Sequence, residues 1–174
     1  MLSVVTLPSA LPSGCSLRWD LRPGDMGSVI GLHGVLYARE YGYDNTFEAY
    51  VASGLAEFAL SYDPGQSRLW VLEREDEIVG SIAIVRRTPQ EAQLRWFLLH
   101  PHIRHLGLGR ILIEKALQFC REKGYTRVFL WTLKHLSIAT HLYSSRGFCR
   151  TEEKCHLLWG KTITEERYDL ILDP

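Results

Sequence analysis

The stretch HPHIRHLGLGRILIEKAL, residues 100–117, sets Gly107 and Gly109 where an apolar helical pattern begins. Glycine weakens a helix interior by roughly 1 kcal/mol relative to alanine, so a pair at a helix start needs another reason. A helix N-terminus has backbone N–H groups without intrahelical partners and the positive end of the helix dipole. It therefore binds anions, best where missing side chains let a ligand approach the backbone. Arg104 and Arg110 add positive charge on either side, in a form that suits a pyrophosphate. A Walker loop needs Lys and then Ser or Thr after its last glycine, where Arg110 and Ile111 stand, and a G-x-G-x-x-G dinucleotide fingerprint needs glycine where Leu112 stands. Both nucleotide-fold readings are excluded, which leaves an anion site or a plain turn.

Downstream, Leu108, Leu112, Ala116, Phe119 and Cys120 share one face of a helix over about 108 to 123, with Arg110, Glu114, Gln118 and Arg121 opposite and Gly124 as its stop. Upstream, SRLWVLE, EIVGSIAIV and AQLRWFLL are three strands, the first two joined through REDE as in an antiparallel meander. CSLRWDL is an earlier strand, closed by the turn RPGD. Asp25 is placed to cap a helix to about Glu40, and a second helix runs from about Thr46 to Leu60. TRVFLWT is a buried strand, Ser137 the cap of a short helix over 138–146, and FCRTEEKCHLLWG and RYDLIL the last strands. This order makes one mixed α/β sheet with a parallel crossover at the long helix.

At 174 residues the chain fits one domain that needs no disulfide or structural metal. Residues 1–14, rich in Ser and Pro, are expected to be a flexible leader and 15–174 the domain. Twenty basic and 20 acidic residues cancel, which argues against nucleic-acid or membrane-surface binding. Cys15, Cys120, Cys149 and Cys155 show no C-x-x-C spacing and are expected to be reduced thiols. The start MLSVVTLPSALPSG lacks the charge of a secretory signal and is broken by Pro8 and Pro12, and no apolar run approaches the ~18 residues of a membrane span. A cytoplasmic protein is the expectation.

The strand LRWFLL, then HP, then R-x-x-G-x-G at Arg104 to Gly109, the amphipathic helix, a strand, and A-x-x-L-Y-x-x-x-G-F at Ala139 to Phe148 together resemble the GNAT family of acyl-CoA-dependent N-acetyltransferases. RPGDMGSVIGLHGVLYAREYGYDNTFEAYV further resembles the start of acetyltransferase domains that follow a MarR-type DNA-binding domain in some bacterial proteins. The family resemblance implies a mixed, mostly antiparallel sheet of six to seven strands flanked by helices, with a splayed parallel strand pair holding acetyl-CoA. It implies that the backbone of Arg104, His105, Leu106, Gly107, Leu108, Gly109 and Arg110 holds the coenzyme pyrophosphate. Phe97, Leu98 and Leu99 would pair with the pantetheine arm, one N–H polarising the thioester carbonyl, and Tyr143 would protonate the departing thiolate. Leu136 departs from the pattern, since asparagine often stands there beside the coenzyme arm.

Only a neutral amine is a nucleophile, so its ammonium proton must go to a base or to water. The resemblance places the acceptor site against the two N-terminal helices, where Glu40, Glu48 and His33 are the candidate bases. His33, Tyr37 and Tyr41 recur at four-residue spacing and put an imidazole and two phenols on one helix face, as acceptor-binding groups or as core. No cysteine is placed as a nucleophile. The expected reaction is therefore direct attack on acetyl-CoA, without metal, by a small or amino-acid-like amine or by a peptide amine. A non-catalytic acyl-CoA sensor acting through a protein partner is the alternative, and a homodimer is left open.

Overall fold

A computed structural model describes residues 11–172, so most of the expected leader lies outside the described residues. The strands are β1 (Cys15–Arg18), β2 (Arg68–Arg74), β3 (Glu77–Arg86), β4 (Glu91–Leu99), β5 (Arg127–Leu133), β6 (Cys149–Leu158) and β7 (Lys161–Ile171). They form one sheet in the order β1-β2-β3-β4-β5-β7-β6, antiparallel throughout except for β4 beside β5. Helices α1 (Asp25–Tyr41) and α2 (Asn45–Leu60) cover one face, and α3 (Leu108–Glu122) and α4 (Ser137–Ser144) the other.

Alternate residues of the central strands serve the two faces. Trp70, Ile82 and Ile84 pack with Leu112 and Leu117 of α3, while Leu69, Val71 and Ala83 pack with Val29 of α1 and Phe47, Val51 and Leu55 of α2. With both faces covered, these strands are nearly continuous apolar runs.

Two helix caps differ from expectation. Asp44 caps α2 by accepting the Thr46 N–H at 2.9 Å, but α1 starts from Gly24, which is left-handed with φ 98°. The Asp25 carboxylate is drawn instead to Arg18, which donates two hydrogen bonds of 2.7 Å to it, and to the Arg22 N–H. Ser137 does not cap α4, whose N-cap is Leu136. β7 also begins at Lys161, well before RYDLIL, because its polar first half is held by pairing with β6 rather than by an apolar pattern.

The parallel pair is short. β4 and β5 pair only where Glu91, Ala92 and Gln93 face Arg127, Val128 and Phe129. Beyond that, β4 carries a bulge: its register on β3 shifts between Ser81 and Ala83, Trp96 adopts φ 46°, and the Ser81 hydroxyl donates to the Trp96 carbonyl at 2.6 Å. A bulge bends its strand, and here it accompanies the divergence of β4 from β5.

Candidate active site

The divergence opens the middle of the sheet into two cavities. The larger, about 660 Å³, is bounded by Phe97, Leu98 and Leu99 of β4, the loop from Arg104 to Arg110, and α4. The smaller, about 140 Å³, lies toward α1 and α2, with walls that include His33, Tyr50, Trp131, Trp159 and Glu165. Tyr37, Phe97, Leu136, Ala139 and Tyr143 line both.

The loop before α3 presents backbone N–H groups without partners among the described residues. A single 3-10 turn, Pro101–Ile103, leads into His105 at φ 66° and Gly107 at φ 78°. Among the described residues, the backbone N–H groups of 105–109 have no protein acceptor. Left-handed turns of this kind gather successive N–H groups into a concavity, and the helix dipole adds positive potential. At Gly109 a Cβ would stand 3.3 Å from Leu142 and 3.7 Å from both Leu99 and Phe97, so the missing side chain keeps the cleft open. Leu106 is exposed and Leu108 is buried against Leu72 and Ile103, which leaves their backbone alone for a ligand. Arg110 is exposed at the cleft. Arg104 is engaged elsewhere: its Nε donates to the Leu99 carbonyl at 2.9 Å and its two terminal nitrogens to Glu40 at 2.9 and 2.8 Å.

Tyr143 is buried on α4, its ring near Phe97, Phe148 and Tyr168, and its hydroxyl makes no hydrogen bond among the described residues. Burial raises its pKa, so the phenol keeps its proton. Tyr37 borders both cavities and stacks on His33, with ring centroids 6.2 Å apart, while Tyr41 contacts Tyr37 and His135 at the larger cavity. Arg146 turns away from the cleft, 3.5 Å from Glu114 of α3.

The three candidate bases separate. Glu48 is exposed on α2, lies over Gly34 of α1 and lines neither cavity. Glu40 borders the larger cavity, but the Arg104 guanidinium holds its pKa below the usual carboxylate range, which makes it a weak proton acceptor. His33 alone reaches the smaller cavity. Its Nδ1–H donates to the Val29 carbonyl at 2.8 Å, the tautomer that this carbonyl requires, and Nε2 keeps the lone pair. Glu165 joins it there from β7, a residue that no spacing or motif singled out. Only the register of β7 on β5, with Glu165 opposite Leu133, brings it to this face.

Burial lowers the pKa of His33 to about 4. A base with a folded pKa below its unfolded ~6.5 holds fewer protons when folded, so its contribution to stability is complete above pH ~6.5 and disappears as the pH falls toward 4. The gap corresponds to about 3 kcal/mol. Urea-unfolding free energies measured from pH 7 down to pH 4.5 should fall in the wild type, and less steeply in His33→Gln; parallel curves would show that His33 is not held neutral.

No helix among the described residues is long and apolar enough to cross a membrane, and among them no group of three or more His, Cys, Asp or Glu is placed to hold a metal ion. The sequence model of the acetyltransferase (GNAT) family matches residues 35–148. Human N-acetyltransferase 8B is 32% identical over 102 residues, covering 56% of this chain and 45% of its own length. Rat N-acetyltransferase 8F1 is 33% identical over 126 residues, covering 67% of this chain and 57% of its own. The chain thus spans about half the length of these relatives. Among solved structures, an acetyltransferase from Streptococcus agalactiae 2603 superposes with a TM-score of 0.74 at 21% identity, over 92% of this chain and 99% of its own. An acetyltransferase from Salmonella typhimurium, solved with its cofactor acetyl-CoA, gives 0.70 at 15% identity, over 92% and 95%.

Proposed function

This chain belongs to the GNAT acetyltransferase family, and from that premise we propose that it moves an acetyl group from acetyl-CoA to a primary amine, by direct attack while both substrates are bound. The observation that carries the reading is the meeting of two cavities at Tyr37, Phe97, Leu136, Ala139 and Tyr143, the larger edged by N–H groups suited to a pyrophosphate and the smaller walled by aromatic side chains. The N–H groups of 105–109, with Arg110, hold the pyrophosphate, and the β4 edge at Phe97, Leu98 and Leu99 holds the pantetheine arm, one N–H polarising the thioester carbonyl. Tyr143 donates its O–H to the departing thiolate. His33 and Tyr37 form walls of the acceptor site, for a small or amino-acid-like amine or a peptide amine. That a Salmonella protein of the same fold was solved with acetyl-CoA supports the choice of this cosubstrate. The four cysteines, free of disulfides, support a reducing cytoplasm, with the chain acting as monomer or homodimer.

A second reading, an acyl-CoA sensor acting through a protein partner, follows from the resemblance, read from the sequence of residues 22–51, to acetyltransferase domains that follow a MarR-type DNA-binding domain. One experiment separates the two. Thiol release from acetyl-CoA, followed with a panel of primary amines, should depend on the amine. Calorimetric binding of coenzyme A without release on any amine would assign the sensor.

A further inference from the structure

Glu165 is a carboxylate in the acceptor cavity. It lies opposite Leu133 of β5 and Lys154 of β6, on the sheet face it shares with Ile163, which packs against the α1–α2 side. It lines the cavity together with His33, Tyr50, Trp131, Trp159 and Tyr143. Burial raises its pKa even though His156 and Lys154 oppose that rise. One carboxylate oxygen is 3.3 Å from His156 Nε2, and the exposure rises outward along the pair, from 21% for Glu165 to 37% for His156.

The other charged or titratable neighbours leave that carboxylate to a ligand. Lys154 of β6 is 2.8 Å from Glu152 and lies over the Trp131 ring at 4.6 Å. Tyr43, between α1 and α2, feels the Glu165 charge, and its buried hydroxyl has no hydrogen-bond partner. His33 of α1 is neutral. Among the described residues, Glu165 has His156 on its outer side and no hydrogen-bond donor from the cavity side.

We propose that Glu165 binds the acceptor's ammonium in this cavity and takes its proton, and that His156 passes the proton to solvent. The proposal rests on the acetyl-transfer reading and names the acceptor class: a primary ammonium on an apolar stem, its charge on Glu165 and its stem among Tyr50, Trp131 and Trp159. An N–H bond of the ammonium breaks and the proton joins the carboxylate. The freed lone pair forms the C–N bond, the C–S bond breaks, the nitrogen gives up a second proton to solvent, and the thiolate takes the Tyr143 proton. Glu165 returns to the carboxylate through His156 and Tyr143 regains its proton from solvent, so two protons leave the nitrogen, one ends on the thiol and one is released per turnover.

Binding tests the site without any need for turnover. With coenzyme A present, 2-phenylethylamine should bind the wild type at least tenfold more tightly than the uncharged 2-phenylethanol, since a hydrogen bond to a charged group is worth this much. Glu165→Gln should erase the preference, and Glu165→Asp should keep part of it while losing rate. Equal binding of the two probes by the wild type, binding of neither, or an undiminished preference in a folded Glu165→Gln overturns the site. A wild type that prefers the amine yet releases no thiol with it or with any amine of the panel refutes acetyl transfer and leaves the Glu165 site standing. His156→Gln should keep the preference and lose turnover that added imidazole restores; full turnover without imidazole overturns the relay.

Discussion

Tyr143→Phe should lower kcat about 100-fold while coenzyme A binds within twofold of its wild-type affinity. The ring is fixed by neighbours that do not involve the hydroxyl, with centroids 6.3 Å from Phe97, 6.0 Å from Phe148 and 6.4 Å from Tyr168. Phenylalanine therefore keeps the packing and removes only the proton donor. General acids contribute roughly 10²- to 10⁴-fold, and a donor that acts only as the C–S bond breaks affects turnover more than binding. Because burial raises the Tyr143 pKa above its ordinary ~10, the phenol stays protonated and the wild type should show no alkaline loss from this group below pH 10. Steady-state thiol release and calorimetry of coenzyme A check both halves. Wild-type turnover in the variant would remove Tyr143 from the mechanism.

The second large effect is expected at Gly109. Valine there would place its branched side chain against Leu142, Leu99 and Phe97, where even a Cβ has only 3.3 to 3.7 Å of room. The side chain then fills the cleft entrance and keeps the pyrophosphate from the N–H groups of 105–109. Losing one or two hydrogen bonds to a charged group costs about 3 kcal/mol, so the coenzyme A dissociation constant should rise about 100-fold. The helix itself tolerates the change, since valine is a better helix former than glycine. Undiminished affinity by calorimetry would overturn the pyrophosphate assignment.

The loop and helix that edge the larger cavity were legible in the chain because their signals are local. Gly107, Gly109 and Tyr143 each lie within one loop or one helix, and the backbone freedom of glycine is an intrinsic property. Arg104 was legible as a charge but not in its employment, because Glu40 stands 64 residues away. Glu48 was misplaced for a reason the sequence does contain: Phe47, Val51, Leu55 and Phe58 form the buried stripe of α2, and the residue after Phe47 is rotated some 100° from it. Glu165 was invisible because its strand has a polar first half held by hairpin pairing, and register across a hairpin is not written in either strand alone.

The bulge at Trp96 has a consequence for selectivity by shape. Strand edges left without neighbours usually lie at the rim of a sheet, where any folded protein with an exposed strand can reach them. Here the two bare edges face each other in the interior, between β4 and β5, with the rest of the sheet on either side. A partner's edge strand cannot enter without bringing its own sheet along. Only a single slender arm has room to do so, and pairing groups that would be an aggregation hazard at the rim are sheltered here.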